Sequence, residues 1–303
     1  MKNNKVFMAF GKAIASSEEF VAKRYIGVAP VYVVAVNPTK KELEALLGRD
    51  LDNDPEYKSK NEDGQDVIRV SFYAKTNTEA KVNNGIELMV PISFMITKAK
   101  KVGQGSGKIQ IIDKYGRTAW ATPEEVESKS IPVYKSGPAN ISKDYRPAYQ
   151  GEEQLVDFLV NWLNIPGPMD YKDGQWVMKK DLSDSEVALD MDALFKGNVA
   201  ELQELTKLAA SYLVKASVGV RTNDEGKQYQ AVFTRKFAKN AVTNYSKIDA
   251  AITEFQSNGG APNTEFSVEP LHENTVTATE FAPKAAEAGD MPFDAPTGGT
   301  PWD

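Results

Sequence analysis

The apolar positions of this chain fall into two alternating regimes, strand-like near the N-terminal third and helical further on. From Tyr25 to Val36 the chain is rich in Val, Ile and Tyr in a nearly unbroken apolar run, which predicts a strand covered on both faces. Asn37-Pro38 stops it. Thr39 and Glu42 then have the spacing of a capping box, Leu43, Leu46 and Leu47 give a short helix its buried face, and Gly48 ends it. The charged stretch Arg49 to Asp66 reads as an exposed loop.

Three more strands are predicted, Val67–Lys75, Ile86–Lys98 after Asn83-Asn84-Gly85, and Lys108–Trp120 after Gly103-Gln104-Gly105-Ser106-Gly107. A helix follows from Glu152 to Leu163, because Leu155, Phe158, Leu159 and Trp162 fall on one stripe. Further helices are expected over about Ser185–Phe195 and Asn198–Val214. Ser211–Thr222 and Lys227–Phe237 read as a late hairpin, and Ile248, Ile252 and Phe255 mark a last helix. The fold class is therefore α+β, an OB-like small β-barrel or curled antiparallel sheet in a body over 1–257, with a helical subdomain at about 151–214.

Composition changes this picture at the C-terminus. The net charge of the 303 residues is −6. From Asn258 to Asp303, eight acids stand against the single base Lys284, a net of −7, so residues 1–257 carry +1. The same segment holds six prolines and shows no sustained period, so it reads as a flexible, disordered acidic tail that could fold back across its own body.

Several chemistries are disfavoured. The chain has no cysteine, which removes disulfides, thiol nucleophiles and Cys-based zinc sites. Its one histidine, His272, lies in the predicted tail, so a Ser-His-Asp arrangement is not expected either. We expect no catalytic residues, no metal and no cofactor, although Asp52-Asn53-Asp54 and Asp190-Met191-Asp192 are the obvious carboxylate clusters. Gly103 to Lys108 fails as a phosphate-binding loop, because three residues rather than four separate Gly103 from Gly107 and Ile109 follows the lysine. No signal peptide or membrane span is apparent, and a cytoplasmic location is the default expectation.

The body does interleave bases with aromatics. Strict alternation puts Arg69, Ser71, Tyr73 and Lys75 on one face of a strand and Ile68, Val70 and Phe72 on the other. Lys98, Lys100, Lys101, Lys108, Lys114 and Arg117 oppose only Asp113 between Lys98 and Trp120, a net of +5, with Tyr115 and Trp120 close by. Between Lys227 and Lys247 a second +5 cluster includes Arg235 and Lys236. Single-strand binders use this combination, since cations neutralise phosphates and exposed rings stack on bases. The competing reading makes the aromatics core and the lysines solvated strand edges.

Asp290-Met291-Pro292-Phe293-Asp294 resembles the acidic Pro-Phe tip of bacterial and bacteriophage single-stranded DNA-binding proteins, and Pro301-Trp302-Asp303 repeats Pro-aromatic-Asp. The resemblance implies an OB-fold body that binds single-stranded DNA during phage replication and recombination, in the cytoplasm of the infected cell. It also implies a tail whose Asp290, Pro292, Phe293, Asp294, Pro301, Trp302 and Asp303 recruit replication or recombination proteins. The chain departs from the family in ending Trp302-Asp303 rather than in Phe, and in the helices between Glu152 and Val214. A phage virion or assembly protein is the alternative, and a carboxylate-metal enzyme comes third.

Overall fold

The computed structural model describes residues 24–62, 64–77, 85–98, 107–113, 117–129, 144–165, 170–172, 175–177, 188–222, 228–258 and 265–274. In chain order its elements are β1 (Arg24–Val36), α1 (Lys40–Leu47), β2 (Lys58–Lys60), β3 (Asp66–Thr76), β4 (Met89–Thr97), β5 (Ile109–Asp113), β6 (Thr118–Ala121), α2 (Pro123–Glu127) and β7 (Tyr145–Pro147). They continue with α3 (Glu152–Trp162), β8 (Asp170–Lys172), β9 (Gln175–Val177), β10 (Ala188–Leu189), α4 (Met191–Phe195), α5 (Ala200–Leu208), β11 (Leu213–Thr222), β12 (Gln228–Lys239), α6 (Ser246–Ser257) and β13 (His272–Asn274). The architecture is α+β, with six helices and antiparallel sheets among the described residues. No helix among them is long and apolar enough to cross a membrane.

Five strands form the frame, in the order β12-β11-β1-β3-β4. Val31 and Tyr32 pair with β11 on one side and β3 on the other, so β1 is the spine of the sheet. β2 extends the pairing of β3, and β13 that of β1. The sheet curls without closing into a barrel: β4 and β12 face one another through side chains, with Phe94 and Phe237 rings 6.2 Å apart. Helix α3 fills the space between these edges. Its stripe of Leu155, Phe158, Leu159 and Trp162 is fully buried, as the periodicity predicts.

Phe158 lies 4.7 Å from Phe72, 5.4 Å from Phe94 and 4.9 Å from Phe237, and so touches β3, β4 and β12 at once. Gly151 makes this docking possible. It has φ +87°, and a Cβ there would run into the Met95 carbonyl of β4.

The capping box at the start of α1 forms as read, with the Thr39 N–H donating to Glu42 Oε2 at 2.8 Å and Gly48 closing the other end. Other expectations need correction. Lys108–Trp120 is a hairpin, β5 and β6, rather than one strand. Among the described residues of the segment 185–195, those from 188 on, only Met191–Phe195 is helical, because the Asp190 carboxylate accepts from the Asp192 and Ala193 N–H groups and starts the helix there, while Ala188–Leu189 pairs with β9. The next helix runs only over Ala200–Leu208; a turn follows it and β11 begins at Leu213. The loop 49–66 contains β2.

The largest correction concerns the C-terminal segment, whose described part, 265–274, is a strap on the body. Phe266 stacks on Phe233 of β12, the Val28 N–H donates to the Glu269 carbonyl at 2.7 Å, Leu271 is fully buried, and β13 pairs with Arg24–Ile26. Gly27, at φ +139°, admits the backbone of Glu269 and Pro270 where no side chain would fit. The apolar run that betrays the strap is only Phe266, Val268 and Leu271, too sparse to register as a period. Residues 275–303, including every residue assigned above to partner docking, lie outside the described residues.

Shortening the chain to end at Asn258 removes Leu271 and Phe266 from the fold and is expected to cost several kcal/mol, on the scale of about 2–5 kcal/mol for a single large core truncation. Urea denaturation of the chain ending at Asn258 against the chain ending at Asn274, which keeps the strap, checks this directly.

Candidate nucleic-acid interface

On β3 the alternation is as predicted, with Ile68, Val70, Phe72 and Ala74 in the main core and Arg69, Ser71, Tyr73 and Lys75 on the convex side. That side is not open. Ser71 and Tyr73 are 3% and 5% exposed, because the chain leaving β1 folds back over them. Asn37 is the tie: its side-chain N–H donates to the Arg69 carbonyl at 3.0 Å, and its Oδ1 accepts the Ser71 N–H at 2.6 Å. Tyr57 adds a second tie, accepting the Arg69 N–H at its carbonyl and donating its hydroxyl to the Pro38 carbonyl at 2.8 Å.

Tyr73 is therefore packed against Tyr57 and cannot act as the exposed stacking ring that alternation alone suggested. Burial pushes both phenols above the ordinary tyrosine range, and the neighbouring hydroxyl of Tyr73 raises Tyr57 further. Arg69 and Lys75 remain half-buried at the rim of this covered face.

The second cluster is built on the small sheet β6-β5-β7. Ile109 faces Ala121 and Ile111 faces Ala119, and Ile111, Ala119 and Ala121 pack with Val126 of α2 and Tyr145. This is the sheet's apolar side. Directly paired residues share a face, so Gln110 with Trp120, and Ile112 with Thr118 and Arg146, point the other way. Trp120 is 46% exposed.

The acids of α2 stay off the Trp120 face, because Val126 docks that helix on the opposite side. On the Trp120 side, Lys108 is exposed immediately before β5. A continuous line of backbone pairing also joins Trp120 to Lys98. Trp120 opposes Gln110, whose carbonyl accepts the Ala148 N–H at 2.9 Å, and Gln150 then pairs with Thr97 beside the exposed Lys98.

Two further basic groups have structural duties. Arg117 Nε and Nη2 reach Asp113 Oδ2 at 2.8 and 2.6 Å, and its N–H donates to Oδ1 at 3.0 Å. Asp113 is fully buried, so Arg117 is committed to closing the β5–β6 hairpin rather than to a phosphate. Arg146, which the sequence reading missed, forks onto Glu152 at 2.6 and 3.0 Å and lies 5.4 Å from the Tyr149 ring centre. It bolts the small sheet to the start of α3. Its three-residue strand, Tyr145-Arg146-Pro147, is too short to carry a readable period.

Lys100, Lys101, Lys114 and Tyr115 lie outside the described residues. Lys236 is exposed on β12, where the register with β11 slips between Phe237 and Val232; Arg235 belongs to the same bulge, on the other edge strand of the main sheet. The two aspartate clusters have no convergent geometry: Asp190 caps α4 and Asp192 accepts a short hydrogen bond from the Tyr149 hydroxyl. Among the described residues no three His, Cys, Asp or Glu side chains gather as a metal site.

Comparison of the chain with protein-family models, with curated proteins and with solved structures finds no match in any of the three.

Because Tyr73 is core, Tyr73→Ala is expected to destabilise the protein by about 3–5 kcal/mol, the usual cost of deleting a buried ring. Tyr73→Phe should be milder. The raised phenols set a pH dependence: the unfolded tyrosines ionise near pH 10 while the folded ones stay neutral. Stability from this pair is complete below about pH 10 and falls as pH rises beyond it. Denaturant midpoints between pH 8 and 11 should fall less steeply in Tyr57→Phe, Tyr73→Phe than in the parent.

Proposed function

We propose that this protein binds single-stranded nucleic acid, with Trp120 as a stacking platform and Lys98 and Lys108 contacting phosphates around it. The observation that carries the reading is the exposed indole on a sheet face whose surrounding sequence is strongly basic. Asp113, the one acid in the sequence of segment 98–120, is bound by Arg117, and the other charged residues of the segment are Lys98, Lys100, Lys101, Lys108 and Lys114. A polyanion of spaced phosphates and flat bases matches that combination, and a duplex does not, because its bases are already stacked on one another.

The frame supports the same reading. Counting only the five long strands, β1, β3, β4, β11 and β12 pair in the order 3-2-1-4-5, with a helix between the third and the fourth filling the open side. That connectivity agrees with an oligonucleotide-binding fold opened between its third and fifth strands. In this reading the small sheet and α2 belong to the excursion between the third strand and the helix. The ligand surface then lies on that excursion and on the adjoining end of β4, with Arg69 and Lys75 as outlying cations. Protection of single strands during replication or recombination is the role such a surface would serve, and the acidic residues from Glu280 to Asp303 would recruit protein partners.

Trp120→Ala should weaken oligo-dT binding by about 5- to 150-fold, the range for one stacked base, without moving the thermal midpoint. Lys98→Ala and Lys108→Ala should each flatten the slope of log K against log salt by about 0.7. Fluorescence anisotropy of labelled oligo-dT at two or more salt concentrations reads both effects. A salt slope near zero in the parent protein would overturn the proposal.

A further inference from the structure

The Trp120 face carries a polar group that a purely non-selective stacking surface has no use for. Gln110 sits directly across the β5–β6 ladder from Trp120 and points to the same side, because directly opposed residues of an antiparallel pair share a face. Their Cβ atoms are then about 4.5–5.5 Å apart, within the span of a single nucleobase. The backbone of Gln110 is consumed by the sheet, its carbonyl accepting from Ala148. Its side-chain amide, half-buried, makes no hydrogen bond with any described residue, and neither does the Trp120 indole N–H. Of the other polar groups on this side, Arg146 is held by Glu152, Lys108 can only donate, and Thr118 carries a single hydroxyl opposite Ile112. Gln110 is thus the amide, with a donor and an acceptor side by side, that stands directly opposite the exposed ring.

Resting on the reading of this face as a single-strand site, we infer that Gln110 is its base-selecting residue and that the selected base is adenine. A base stacked on the Trp120 indole presents its edge along the face, in the direction of the opposed strand. A glutamine amide offers one donor and one acceptor side by side, which matches the N7 acceptor and N6 amino donor of adenine. The N7 edge is the discriminating one: thymine and cytosine have no such pair there, and guanine presents two acceptors. On the Watson–Crick edge every base offers a donor beside an acceptor, so selection of adenine requires that the base turn its N7 edge to Gln110. The half-buried position of Gln110 limits its rotamers, so the amide is oriented before the base arrives.

The test measures binding of oligo-dA, oligo-dC and oligo-dT of equal length to the full chain and to Gln110→Ala, Gln110→Glu and Trp120→Ala. The quantities of interest are ratios between bases, which cancel the added charge of glutamate and the self-stacking of oligo-dA. Gln110→Ala should lower the ratio of oligo-dA to oligo-dT affinity by about 5-fold or more, the lower end of discrimination by one bidentate pair. Gln110→Glu, an acceptor only, should move preference toward oligo-dC, whose N4 amino group donates. Trp120→Ala should weaken all three. If the ratios are the same in the parent and both Gln110 variants while all bind in a salt-dependent way, selection by Gln110 is wrong and the single-strand site stands. If the full chain binds none of the three oligonucleotides, both fall together.

Discussion

The packing of Phe158 against three strands is the contact on which the rest of the arrangement depends. A five-stranded sheet that curls without closing leaves its concave side and both edge strands unprotected. Here the two edges, β4 and β12, are bridged by a single ring that also reaches β3, with Trp162 stacked behind it at 5.8 Å. The helix thereby substitutes for the missing seam of hydrogen bonds. The same helix begins at Glu152, the residue that holds Arg146, so the aromatic plug of the core and the anchor of the small sheet lie on one rigid element. Whatever Trp120 contacts is presented from a platform bolted to the centre of the molecule.

The strap at 265–274 changes what the C-terminal acids can do. With Leu271 in the core, the acids that follow the strap in the sequence are Glu280, Glu287, Asp290, Asp294 and Asp303 against Lys284, a net of −4 rather than −7. The end of the strap, Asn274, pairs with Arg24, at the opposite end of β1 from the Val36–Phe72 pairing, whereas Lys98 lies beyond the Val67–Thr97 pairing at the far end of β3. An 11-residue strand covers about 36 Å on its own. If the protein binds a single strand at Trp120 as proposed, attachment of these acids at the far end of β1 would weaken their competition with that strand relative to a tail starting at Asn258, which favours contact with separate proteins as the use of their charge.

Much of the frame was legible in the sequence because its signals are local. The capping box, the apolar run of β1, the alternation of β3 and the stripe of α3 each follow from spacing within one element. The errors arise where a distant segment supplies the partner. Nothing within residues 67–75 tells whether the polar side of the strand is wet, and it is Asn37 and Tyr57, 34 and 16 positions before Ser71 and Tyr73, that cover it. Likewise Arg117 reads as a phosphate contact until Asp113 is seen to be buried beneath it. Of the residues in the proposed site, Trp120 stands out in the sequence among the basic residues but Gln110 does not, since only the register of the hairpin places it opposite the ring.

Those errors have a common physical basis that also sorts the candidate site. An aromatic ring near cations is equally at home in a core and on a binding surface, and the deciding quantity is which face of the strand receives a second layer. On β3 both faces do, so its tyrosine is structural. On β6, among the described residues, one face does: Ala119 and Ala121 turn toward α2, and the same alternation forces the residue between them outward. The large apolar surface of Trp120 is then held in water by its register against the apolar side, where two alanines leave room for Val126. A ring held out in this way incurs the unfavourable hydration of its own area whenever the face is empty. In the proposed function, covering it with a base would relieve that cost without any rearrangement of the sheet, and the fold itself would then be the source of the stacking energy.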